Sequence, residues 1–179
     1  MRVDQKFPQR SAPVSPQGRS EAEKPLVVIV DDEASVREAL CELLLSAGFQ
    51  AVAFASTREL LETDMLDRPG CLILDVRMPG ASGLDLQRHL ARGGNGKPII
   101  FLTGHGDIPM SVQAMKAGAV DFLTKPVRDQ TLLDAVTAAI QRDLAQRSAA
   151  LAVKGHVERF ETLTSRERQV LREVLDGLH

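Results

Sequence analysis

Three short runs in this chain are apolar up to a polar last residue: LVVIVD (26–31), CLILD (71–75) and IIFLT (99–103). A strand with one wet face alternates apolar and polar residues, so an unbroken run of this length marks a strand covered on both faces. Between the runs the period changes from continuous to helical. Val36, Leu40, Leu43, Leu44 and Ala47 follow the first run at helical spacing, and Gly48 stands where such a helix stops. QAVAF (50–54) is a short strand, and Ser56 to Glu59 reads as a capping box opening the next helix. Ser82 to Asp85 opens a third helix, which runs into the Gly-rich turn RGGNGKP (92–98). Pro109 opens a helix that reaches Gly118, VDFLT (120–124) is the last strand, and a helix starts near Asp129. Strands alternating with helices in this way predict a doubly wound α/β domain, a five-stranded parallel sheet with helices on both faces.

The flanks differ from this core. Residues 1–24 contain Pro8, Pro13 and Pro16 among polar residues without apolar periodicity, which predicts a disordered extension ending at Pro25. The α/β domain occupies 25–145. In its last helix Leu132, Val136, Ile140 and Leu144 recur every four residues, and Leu151 extends that apolar side. Residues 146–160 are read as a helical linker. One long connecting helix and a terminal helix followed by a frayed linker both fit the pattern. Within 161–179, Thr164 and Glu167 form a capping box, and Val170, Leu171, Val174 and Leu175 supply an apolar stripe.

Composition narrows the function. Lys and Arg total 22 against 24 Asp and Glu, a net charge of −2, which argues against binding nucleic acid by bulk charge. The absence of Trp and Tyr removes base-stacking platforms built from several aromatics. No apolar run approaches a membrane span, and the N-terminus is polar rather than a signal peptide. Cys41 and Cys71 lie in apolar segments and form no metal-binding spacing, so a reducing, cytoplasmic setting is the simplest expectation.

Chemistry concentrates at strand ends. Two strands end in aspartate at their carboxyl edge, Asp31 with Asp32 at the end of the first and Asp75 at the end of the third. In an open α/β sheet the carboxyl edge at the switch in strand order is where ligands bind. If the two strands are neighbours, three carboxylates converge, repel one another and call for a cation; a small all-oxygen set favours Mg²⁺. Thr103 and Lys125 end the fourth and fifth strands on the same edge, a hydroxyl and an ammonium suited to holding a phosphoryl group. Singly, each residue has a plainer reading. Asp32 could be a helix N-cap, Thr103 a strand-end hydroxyl bonding backbone, Lys125 an exposed charge, and Phe122 simple core. Met78, Met110 and Met115 read as packing residues, and His105 as a solvated loop histidine.

VDD (30–32), LDVRMPGASG (74–83), LTGHGD (102–107) and FLTKP (122–126) together resemble the receiver domain of two-component response regulators. PMSVQAMKAGAVDFLTKP (109–126) is especially similar to receivers of the FixJ/NarL type. The resemblance covers 25–145 and implies the flavodoxin-like strand order 2-1-3-4-5. It also implies Asp75 as phosphoacceptor, with a histidine kinase as phosphoryl donor and at most weak self-catalysed phosphorylation and dephosphorylation. Asp31, Asp32, Asp75 and the backbone carbonyl of Arg77 would hold Mg²⁺. Lys125 and Thr103 would engage the phosphoryl group, Thr103 and Phe122 would switch, Lys125–Pro126 would be cis, and phosphorylation would favour a homodimer.

LTSRERQVLREVLDGL (163–178) resembles the opening helix of the LuxR-type helix-turn-helix domain. The expectation is a truncated output domain at 161–179, with DNA binding only in a version carrying the complete domain, and no membrane partner. Two rivals remain: a receiver serving only as a protein-interaction module, and an aspartate-nucleophile phosphatase of the haloacid dehalogenase type. The latter resembles D-x-D at its nucleophile, and here the second position is Arg77.

Overall fold

A computed structural model of the chain describes residues 24–104, 106–167, 169 and 170. Five strands alternate with five helices along them. They are β1 (Leu26–Val30), α1 (Ala34–Ser46), β2 (Gln50–Phe54), α2 (Thr57–Leu61), β3 (Gly70–Leu74), α3 (Gly83–Arg92), β4 (Ile99–Thr103), α4 (Ile108–Lys116), β5 (Asp121–Thr124) and α5 (Asp129–Thr162). All strands are parallel, in the order β2-β1-β3-β4-β5. The predicted α/β class and strand order are those observed.

The pleat explains the unbroken apolar runs. Val27 and Ile29 of β1 join Leu40, Leu44, Leu132, Val136 and Ile140 beneath α1 and α5. Leu26, Val28 and Val30 point the other way, into a layer with Leu60, Leu84, Leu86, Leu90 and Phe101 beneath α2, α3 and α4. Each such side chain withdrawn from water contributes about 1.5–3 kcal/mol, so both faces of the central strands are worth covering. Gly70 opens β3 at φ +135°, and a Cβ there would overlap the Leu26 backbone at 1.9 Å. Only glycine permits β1 and β3 to lie so close at this point.

Local signals worked out in different ways. Ser82 and Asp85 form a reciprocal capping box at the start of α3. At α2, Ser56 accepts from the Glu59 N–H, but the Glu59 carboxylate accepts from Ala55 N–H instead of completing the box. Asp32 is not an N-cap; Glu33 occupies that position on α1, without a side-chain bond. Thr164 and Glu167 bond reciprocally as the capping spacing predicts.

α5 is one continuous helix of 34 residues, which decides between the two readings of the connector. The apolar stripe assigned to it needs correction. Leu144 is 43% exposed and Leu151 70% exposed, whereas Asp143 is 3% exposed. Steps of four residues rotate about 40° past a full turn, so the every-four series drifts off the packed face, and the residue three after Ile140 stays on it. Met115 is likewise corrected from packing residue to exposed surface, while Met78 is buried and Met110 packs against the core. All but the last residue of the extension expected at 1–24, together with His105 and most of the stripe beyond Val170, lie outside the described residues; Val170 itself is exposed. Among the described residues no helix is long and apolar enough to cross a membrane.

Candidate functional site

β1 and β3 are hydrogen-bonded neighbours, so the condition placed on the acidic residues is met. Asp31 and Asp75 leave the two strands side by side, and Asp32 follows on the same edge. One carboxylate oxygen from each of Asp31, Asp32 and Asp75 lies within 4.8 Å of the others. Asp31 and Asp75 are buried and Asp32 is exposed, giving a small acidic cleft open on one side. Such a cluster of hard oxygen donors is chemically suited to a divalent cation.

Backbone and side-chain bonds hold this cluster in place. Asp31 Oδ1 accepts from Glu33 N–H at 2.9 Å, and Arg37 Nη1 donates to the Asp31 carbonyl at 2.7 Å. Asp75 Oδ1 accepts from Arg77 N–H at 3.2 Å. Lys125 enters from the end of β5, immediately before a cis Lys125–Pro126 bond. Its ammonium donates to Asp31 Oδ2 at 2.6 Å and lies 3.5 Å from Asp75 Oδ2 and 3.8 Å from Glu33 Oε1. Burial works against the Lys125 charge, but the Asp31 hydrogen bond and the charges of Asp31, Asp75 and Glu33 outweigh it and raise its pKa. One positive charge thus serves several negative ones, an imbalance that a bound cation would correct.

Thr103 ends β4 fully buried, and its carbonyl accepts from Lys125 N–H at 2.9 Å. Phe122 lies in register with Phe101 across β4 and β5, half-buried, with ring centroids 5.9 Å apart at 40°. Hence Asp31, Asp32, Asp75 and Lys125 are brought together directly, Thr103 stands at the adjoining strand end, and Phe122 sits behind it on β5.

Four supporting residues were not singled out from sequence. Glu33 and Arg37 bracket Asp31, as described above. A Cβ on Gly83 would lie 2.3 Å from the Asp75 carbonyl oxygen, so α3 can start against the acidic loop only with glycine there. A Cβ on Gly106 would lie 2.7 Å from the Phe122 ring and 3.3 Å from Thr103 Cγ2. Gly83 carried a usable signal, since glycine is a poor choice just after an N-cap unless space demands it. Glu33 and Arg37 carried none, being ordinary charges at a helix start.

An acidic edge at the switch point of a doubly wound sheet, answered by one lysine from a distant strand, defines the receiver class of signalling domain. The response regulator receiver domain family matches residues 27–137, and the chain belongs to that family. More particularly, it is a response regulator of a two-component system, of the type represented by the FixJ, TodT and NodW proteins. It is 54% identical over 162 residues to Nodulation protein W of Bradyrhizobium diazoefficiens, an alignment covering 90% of this chain and 71% of that protein. Response regulator protein TodT of Pseudomonas putida is 50% identical over 152 residues, covering 85% of this chain and 67% of TodT. Among solved structures, response regulator StyR superposes with a TM-score of 0.80 at 47% identity, covering 87% of this chain and 79% of StyR.

Proposed function

We propose that Asp75 is the phosphoacceptor of this response regulator and receives its phosphoryl group from a histidine kinase. The observation that carries this reading is the convergence of Asp31, Asp32 and Asp75 within 4.8 Å, with Lys125 reaching two of them. A carboxylate oxygen of Asp75 attacks phosphorus of a phosphohistidine. A P–O bond forms, the P–N bond breaks, and the imidazole nitrogen leaves and takes up a proton. Self-catalysed phosphorylation and dephosphorylation are weak by comparison.

Asp31, Asp32 and Asp75, with the Arg77 carbonyl, would hold Mg²⁺. The donors present are all oxygen, two of the three carboxylates are buried, and their charge exceeds what Lys125 balances, which fits a hard divalent ion. The chemistry such an ion would supply there is positive charge for the oxygens of the transferring phosphoryl group. Lys125 pairs with the same oxygens, and the Thr103 hydroxyl donates to them once Asp75 is modified. Phe122 changes rotamer in response. The resulting bias acts on the α4–β5–α5 side, favours a homodimer, and passes along the connector.

We assign 25–145 to the receiver, 146–160 to the linker and 161–179 to the start of a LuxR-type output domain. Specific DNA contact then requires the complete output domain, and the protein acts in the cytoplasm as a transcriptional regulator. Intact mass after incubation with acetyl phosphate and Mg²⁺ tests the central step. Wild type should gain one phosphoryl group and Asp75→Asn none. No gain in either protein would favour a receiver used only as an interaction module.

A further inference from the structure

A second cluster of charges lies at the opposite, amino-terminal edge of the sheet, where the connector leaves the domain. Asp143 of α5 is 3% exposed, and no later residue among those described on α5 is buried. Its Oδ2 accepts from the Gly70 N–H at 2.8 Å and from Arg147 Nε at 2.7 Å. Arg147 Nη2 donates onward to the Arg68 carbonyl at 3.1 Å. Lys97, 5% exposed at the end of the Gly-rich turn, donates its ammonium to that same carbonyl. The backbone of 68–70 is therefore gripped from α5 and from the 92–98 turn at once. Gly70 can present its N–H to Asp143 because its φ of +135° is open only to glycine.

The placement matters because apolar packing ends just before it. Among the described residues, Ala139 and Ile140 are the last buried apolar residues of α5, and nineteen further helical residues follow Asp143, ending at Thr162. A charged side chain so deeply buried is retained only if its partners are fixed, and removing one leaves the others desolvated. From this we infer that Asp143, Arg147 and Lys97 form a latch that sets the direction in which the connector leaves the receiver. With the latch closed, α5 is a rigid lever continuous with the sheet. With it open, the helix pivots after Ile140 and its distal half no longer reports the state of the domain. The inference does not rest on Asp75 being phosphorylated.

Double electron–electron resonance between nitroxides at Glu38 and Ala152, both exposed, tests it on the full chain. The background carries Cys41→Ser; Cys71 stays unlabelled because it is fully buried. The closed latch gives one narrow distance peak. Asp143→Asn and Arg147→Gln should each lose it to a broad distribution. Arg147 is 37% exposed, so its substitution leaves the receiver core intact even if Asp143→Asn fails to fold. An unchanged narrow peak in Arg147→Gln would overturn the latch, as would broadening that vanishes when both variants are compared at equal receiver stability.

Discussion

Replacing Asp75 with asparagine should make the cation-free protein more stable, although the substitution destroys the group proposed to carry function. The carboxylates of Asp31, Asp32 and Asp75 lie within 4.8 Å of one another. At an effective dielectric near 20, each like-charge pair at that distance costs about 3.5 kcal/mol. Asp75 takes part in two such pairs, one of them softened by the exposure of Asp32. Against them stands its attraction to the Lys125 ammonium at 3.5 Å, worth about 5 kcal/mol on the same scale. Asparagine keeps an oxygen to accept from Arg77 N–H and loses only the charge terms. The balance favours Asp75→Asn by about 1 kcal/mol, a rise of a few degrees in Tm for a domain of this size. Urea unfolding in EDTA, followed by circular dichroism, measures it. Mg²⁺ should then reverse the order, since wild type at a hundred times its Kd gains about 2.7 kcal/mol and the variant, short of one ligand, gains less. Equal or lower stability of Asp75→Asn in EDTA would refute the repulsion. Equal Mg²⁺ stabilisation of both proteins would remove Asp75 from the cation's ligands.

Other outcomes follow from the same structure. Lys125→Met leaves the buried Asp31 and Asp75 without their cation and should cost about 3–5 kcal/mol in EDTA, a loss that Mg²⁺ partly restores in the same unfolding assay. Gly83→Ala puts a methyl 2.3 Å from the Asp75 carbonyl and should lower stability by about 1–3 kcal/mol while slowing phosphorylation by acetyl phosphate, because the acidic loop must shift. Burial pushes Lys97 from its ordinary 10.5 down to about 8, so the unfolded chain holds a proton there that the native one releases. Stability should therefore rise between pH 8 and 10.5 relative to Lys97→Met, by on the order of 1 kcal/mol at pH 9. The comparison with the variant is needed because burial raises the Cys71 thiol to about 12, which lowers native stability above pH 9 in both proteins. Maleimide at pH 8 should modify Cys41 and leave Cys71 untouched until denaturant is added; modification of Cys71 in the native protein would contradict its burial.

Much of the site was legible because it is built from strand ends. A run buried on both faces announces where a strand stops, and Asp31, Asp75, Thr103 and Lys125 were identifiable by position alone. The Gly-rich turn and the capping boxes were equally local. The misreading of α5 was of another kind. Counting Leu144 into the stripe assumed that an apolar side chain at regular spacing is buried. Asp143 holds the place instead, because Gly70 and Arg147, distant from each other in sequence, meet it there. Glu33, Arg37 and Gly106 escaped notice for the same reason: their importance comes from neighbours that only folding supplies.

By itself, then, the order of residues determined the element types, the parallel sheet and the edge on which the acidic groups lie, since burial period and chain direction are local properties. Tertiary structure decided which carboxylates share a cleft, which lysine answers them, and where the connector is fastened. Those outcomes depend on strand order and on contacts between residues as far apart as Asp31 and Lys125, where charge and desolvation act through space.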